Sequence, residues 1–155
     1  MDTIRIEKLT LDDADLYYDV FDANRSHIAA HDARLGKMFM TIGEVAEKLA
    51  PYSTKYNHHF GIMYDNEFVG SAALFERGDQ QAEVTYWLDQ DYTGRGLARQ
   101  ACRMLINHGR QDLYVTEFDA VIAPQNIASR RTVEGLGFQP VSTFKEDIVY
   151  ALDLS

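Results

Sequence analysis

Apolar and polar residues alternate from Thr3 to Leu9, the period-2 pattern of a strand. Thr10-Leu11-Asp12-Asp13 is a capping box with aspartate in its last place, and it opens a helix. Leu11, Ala14, Leu16, Tyr18 and Phe21 give that helix an apolar face to about residue 24. Residues 25–40 carry no clear period. Thr41 to Leu49 reads as a second helix, stopped before Pro51. Two strand-like runs, 59–64 and 67–76, flank Asp65-Asn66 and predict a hairpin. A further strand runs from about Gln81 to Leu88. The turn Asp91-Tyr92-Thr93-Gly94-Arg95-Gly96 follows, then a helix to about His108 in which Leu97, Ala101, Cys102, Leu105 and Ile106 recur at helical spacing. Residues 118–123 read as a buried strand that Pro124 ends, and Asn126 to Leu136 as a helix with Gly137 beyond its end. Residues 139–154 hold one or two closing strands.

Antiparallel strands thus come first, and a strand–helix–strand unit later demands one parallel pair. The predicted class is α+β: a mixed, mostly antiparallel twisted sheet with helices on both faces.

A chain of 155 residues predicts one domain over 1–155. No apolar run approaches the ~20 residues of a membrane span. The opening residues lack a basic region followed by an apolar stretch, which leaves the cytoplasm as the expected compartment. The single cysteine, Cys102, excludes an internal disulfide and a multi-cysteine zinc site. A net charge of −9 argues against nucleic acid as a partner. Five acids and no base fall within residues 11–22, while Arg95, Arg99, Arg103 and Arg110 stand without an acid in 93–110. An anionic ligand or a solvated face accounts for that basic helix.

The run from Trp87 to Ala98 carries the chemistry. A strand ends, a short turn holds Gly94 and Gly96, and a helix begins. Free amides at a helix start bind phosphate, and glycine lets the backbone approach the anion. Arg95 and Arg99, one turn apart, can clamp further phosphate charge. The run is not a nucleoside-triphosphate loop, since no Gly-Lys-Ser/Thr follows, and it lacks the third glycine of a dinucleotide fingerprint. A second segment, Asn126-Ile127-Ala128-Ser129-Arg130-Arg131-Thr132-Val133-Glu134-Gly135-Leu136-Gly137-Phe138, follows the next strand.

Together the two segments resemble the GNAT superfamily of acetyl-CoA-dependent N-acetyltransferases. The family pattern is Gln/Arg-x-x-Gly-x-Gly/Ala at a helix start, then Asn-x-x-Ser and a helix closing in Leu-Gly-Phe. The strand Ala82–Leu88 looks most like the branch that acetylates ribosomal-protein N-termini at alanine or serine. Two positions depart from the family: Asp91 stands where Gln or Arg is usual, and Val133 where many members have a tyrosine acid. The resemblance implies a GNAT-like sheet whose central parallel pair splays for the cofactor. It implies acetyl-CoA as donor, a primary amine as acceptor and attack within a ternary complex. A peptide N-terminus is the expected acceptor, with a polyamine, aminoglycoside or amino acid as the alternative. Other readings are a non-catalytic acyl-CoA sensor and a phosphate-binding module unrelated to CoA. The resemblance also allows a homodimer through the closing strands.

Site roles carry over residue by residue. Glu83 is the expected general base, with a pKa raised by an apolar strand, unless it faces solvent or pairs with an arginine. The amide of Trp87 or Leu88 is expected to polarise the thioester. Gly94, Arg95, Gly96, Leu97, Ala98 and Arg99 form the expected phosphate site, and Arg130 and Arg131 reach the phosphates or face water. Asn126 holds the cofactor or caps its helix. Ser129 is the expected acid for the leaving thiolate, or a helix-start hydroxyl. Cys102 belongs to the core. His27 and His31 are spaced for one helix face but lack a third ligand, and adjacent strand residues His58 and His59 point apart, so no metal is expected. The aromatics Tyr17, Tyr18, Phe39, Tyr52, Tyr56 and Tyr64 line an acceptor pocket or pack in the core.

Overall fold

A computed structural model describes residues 3–155. Met1 and Asp2, the start of the expected domain, lie outside the described residues. The chain forms β1 (Ile4–Lys8), α1 (Ala14–Ala23), α2 (Arg25–His31), α3 (Ile42–Leu49), β2 (Asn57–Tyr64) and β3 (Glu67–Gly78). Then come β4 (Gln81–Leu88), α4 (Leu97–Asp112), β5 (Glu117–Ile122), α5 (Ile127–Gly135), β6 (Gln139–Phe144) and β7 (Asp147–Asp153).

The strands build one sheet in the order β1-β2-β3-β4-β5-β7-β6, antiparallel except for the β4–β5 pair. The closing segment is therefore two strands. The Thr10 amide donates to the Asp13 carboxylate at 2.8 Å, and one 3-10 turn over Leu11–Asp13 precedes α1. Asp65 and Asn66 turn the β2–β3 hairpin at φ +49° and +70°, the left-handed pair such a turn requires.

Strand alternation divides two cores. Ala82 and Val84 of β4 pack with Leu97, Ala101, Cys102 and Leu105 of α4. Trp87, of opposite parity, packs with Tyr17, Phe21, Phe39 and Val45. Helices thus cover both faces. The stretch without a period contains α2, and Arg25 folds the following loop back. Its guanidinium donates to the carbonyls of Gly36, Met38 and Phe39 at 3.0, 2.7 and 2.7 Å.

Candidate active site

The parallel pairing is short. Gln81, Ala82 and Glu83 face Glu117, Phe118 and Asp119, and no pair follows. Beyond that vertex β4 continues to Leu88 and β5 to Ile122, each with one edge unpaired. The split opens into a cavity of about 840 Å³, walled by β4, β5, the start of α4, α5 and residues 27–35. Unpaired backbone groups on such an edge need a partner, and a ligand can supply one. The Asp89 amide donates to Val69 of β3 at 2.7 Å. Amides of alternate strand residues point the same way, so Tyr86 and Leu88, not Trp87, turn theirs toward the split.

The glycine turn closes one end. Gly94 and Gly96 adopt φ +78° and +75°, where a side chain is strained. A Cβ on either would meet no atom within 4 Å, so the space above the turn is open. Gly96 caps α4 without a side-chain bond, which leaves first-turn amides free beside the positive end of the helix dipole. These features fit a phosphate group. Gly94, Gly96, Leu97, Ala98, Arg99 and Arg131 all line the cavity. Arg99 lies against α5, with Nη2 3.5 Å from the Arg131 carbonyl. Arg95 turns elsewhere: its guanidinium sits 5.3 Å from the Tyr92 ring centroid and donates to the Asp91 carbonyl. Neither Arg95 nor Asp91 is on the cavity wall. Arg130 donates to the Tyr150 hydroxyl and the Pro124 carbonyl.

Asn126 caps α5, its Oδ1 accepting from the Ser129 amide at 3.2 Å. Its Nδ2 donates to the His31 carbonyl, which ties α5 to the end of α2 across the cavity. The Ser129 hydroxyl accepts from the Tyr86 phenol at 2.8 Å. Burial pushes the Tyr86 pKa up to about 12, so the phenol stays protonated. Tyr86 was missed in the sequence. Its only signal was its parity in β4, which turns it toward the face that α5 covers.

Glu83 stands at the vertex of the split. Its carboxylate bonds Arg77 at 2.5 Å, and the same guanidinium bonds Asp119 at 2.6 Å. Its surroundings are thus an arginine bridge as well as the apolar strand expected from the sequence. Burial pushes the Asp119 carboxyl above its ordinary value. Trp87 Nε1 donates to the Tyr17 hydroxyl at 3.0 Å, away from the split. Cys102 is fully buried in the core. The His27 and His31 rings lie 4.8 Å apart at the cavity wall. Among the described residues no group of three or more His, Cys, Asp or Glu is arranged to hold a metal. No helix among them is long and apolar enough to cross a membrane.

A mixed sheet whose one parallel pair splays beside an anion-binding turn is the architecture of a CoA-dependent N-acyltransferase. The chain belongs to the GNAT acetyltransferase family: the acetyltransferase (GNAT) domain matches residues 3–139. It is an acetyltransferase that takes its acetyl group from acetyl-CoA. It is 24% identical to "Probable N-acetyltransferase YjcK" of Bacillus subtilis strain 168, over 94% of this chain and 86% of that protein. Among solved structures, the ribosomal L7/L12 alpha-N-protein acetyltransferase RimL in complex with coenzyme A superposes with a TM-score of 0.86 at 16% identity. That match covers 98% of this chain and 94% of the other. The aminoglycoside acetyltransferase AAC(6')-Ib in complex with coenzyme A superposes at 0.81 and 19% identity, covering 97% and 95%.

Proposed function

We propose that this acetyltransferase modifies the α-amino group of a peptide or protein N-terminus. The observation that carries the reading is the continuous cavity. It runs from the α4 amides, through the β4–β5 split, to Ser129 on one face and Glu83 on the other. A long anionic donor fits along it, and an acceptor can meet the donor from the Glu83 side. The likeness to the L7/L12 acetyltransferase favours a protein acceptor, while the aminoglycoside enzyme keeps small amines as the alternative.

Bound acetyl-CoA supplies a thioester whose carbonyl carbon the acceptor nitrogen attacks and whose sulfur leaves as thiolate. The α4 first-turn amides with Arg99 and Arg131 hold the phosphates. The Leu88 amide, facing the split, donates to the thioester carbonyl as negative charge grows there. Glu83 takes the proton that the attacking nitrogen sheds, with Arg77 fixing its carboxylate. Because Tyr86 donates to the Ser129 oxygen, the serine's own hydrogen is free to point at the sulfur. Asn126 shapes the site by joining α5 to α2.

A cytoplasmic location belongs to the same reading, supported by a lone, disulfide-free cysteine. A homodimer through β6 is supported by Val141 and Phe144, exposed on that edge strand.

The test is release of free thiol from acetyl-CoA against N-terminal peptides, polyamines, amino acids and aminoglycosides. Turnover on peptides is expected. Turnover confined to polyamines or aminoglycosides would select the small-amine reading. CoA binding with no turnover on the whole panel would leave an acceptor outside these classes or the sensor.

A further inference from the structure

A second pocket, of about 260 Å³, opens off the cavity on the Glu83 side of β4 and shares Asp32, Arg34, Leu35, Thr85, Tyr86 and Trp87 with it. Its remaining wall is mostly apolar: Tyr17, Met38, Phe39, Ala73 and Phe75. Two of the hydroxyls and the indole N–H inside are already engaged. Trp87 Nε1 donates to the Tyr17 hydroxyl, and the Ser71 hydroxyl donates to the Phe60 carbonyl at 2.8 Å. His59, buried against Phe75, keeps Nε2 sealed from water without a described partner. Burial, with Lys48 and His58 nearby, pushes its pKa down to about 4, so the ring is neutral at pH 7. The only carboxylate on the wall, Asp32, accepts from the Leu35 amide, and Arg34 stands beside it.

A polyamine or aminoglycoside arm entering this pocket would lose water and meet one carboxylate, Asp32, where the wall joins the main cavity and where Arg34 also lies, so the apolar interior beyond is costly for a cation. An apolar side chain would gain by leaving water. The volume suits one side chain. We infer that the acceptor's N-terminal residue carries a large apolar side chain, of the leucine, methionine or phenylalanine class, which fills this pocket while its α-amine faces the split. The inference rests on the N-terminal acceptor reading and names the class of substrate within it.

Two readouts test it. The first is kcat/KM by thiol release for peptides identical except for a first residue of Leu, Met, Phe, Ser, Gly, Asp or Lys, with spermidine and kanamycin beside them. The apolar group is expected to lead by roughly tenfold or more. The second is the fluorescence of Trp87, the only tryptophan, which lines the pocket and reports occupancy without turnover. With CoA present, the leucine peptide should give a saturable change at concentrations where the glycine peptide gives none. Ala73→Leu, which fills the pocket, should lower the leucine-to-serine ratio of kcat/KM. Phe75→Ala, which widens it, should raise the ratio for phenylalanine over leucine. A preference for Ser or Gly peptides, or no Trp87 response to apolar peptides, overturns the inference. A Trp87 response with turnover only on small amines keeps the pocket's preference and overturns the N-terminal acceptor reading.

Discussion

The phenol of Tyr86 donates to the hydroxyl of Ser129 at 2.8 Å, linking β4 to the first turn of α5 across the cofactor-side face of the sheet. A serine that accepts in this way has its own hydrogen to give. Ser129→Ala should therefore lower kcat by roughly tenfold to a hundredfold, with the KM for acetyl-CoA little changed. Tyr86→Phe should lower kcat less, because the hydroxyl remains but is no longer oriented. Burial holds the Tyr86 proton to about pH 12, so Tyr86 contributes no falling limb to the kcat profile between pH 8 and 10. A limb there that vanishes in Tyr86→Phe would mean that the phenol itself titrates during turnover.

At the vertex of the split, Arg77 bridges Glu83 and Asp119, which are paired Cα neighbours. Glu83→Gln should lower kcat/KM about 10²-fold with CoA affinity retained. A rate within about threefold of the parent would remove Glu83 from the mechanism. In Arg77→Gln the two carboxylates lose their shared cation. Like charges then favour keeping a proton, so the acid limb of kcat/KM should move to higher pH. An unmoved limb would mean that neither carboxylate governs the reaction.

Gly96 caps α4 at φ +75° with open space above it. Gly96→Ala should cost about 1–2 kcal/mol of stability from the left-handed backbone alone. Gly96→Glu adds a carboxylate where the phosphates are held, so the thermal shift produced by CoA should be lost. Unchanged stabilisation by CoA would mean that the phosphates sit elsewhere.

What could be read from the sequence was what local chemistry dictates. The glycine turn announces itself because only glycine tolerates those dihedrals, and Asn126 because its side chain caps the helix it precedes. Residues 25–40 gave no signal, because Arg25 holds them through three carbonyls 11 to 14 positions away. Glu83 was readable as a strand residue, but not its arginine. Arg77 reaches it only once the β3–β4 register is set, and Asp119 joins them only through the parallel pair. Tyr86 and Ser129 are 43 positions apart, and neither residue type alone marks the bond between them. Arg95 fitted the local pattern of a phosphate ligand, yet the rings of Tyr92 and Tyr64 hold it on another surface.

His59 makes the stability of the whole chain depend on pH in a stated direction. The residue is 6% exposed, and burial pushes its pKa down to about 4, against 6.5 for a free imidazole. The folded state therefore keeps it neutral, while the unfolded chain takes up a proton below pH 6.5. A group that binds its proton more readily when unfolded destabilises the fold as pH falls. The contribution is flat above pH 6.5, declines between 6.5 and 4, and is flat again below 4. Its slope approaches about 1.4 kcal/mol per pH unit, a large step against typical stabilities of about 5–15 kcal/mol. Urea midpoints at pH 7.5 and 5 should therefore differ clearly in the parent. His59→Phe, which keeps an aromatic ring beside Phe75 but cannot titrate, should narrow the difference. An equal difference in both proteins would show that His59 is charged in the fold, or that other groups set the acid response.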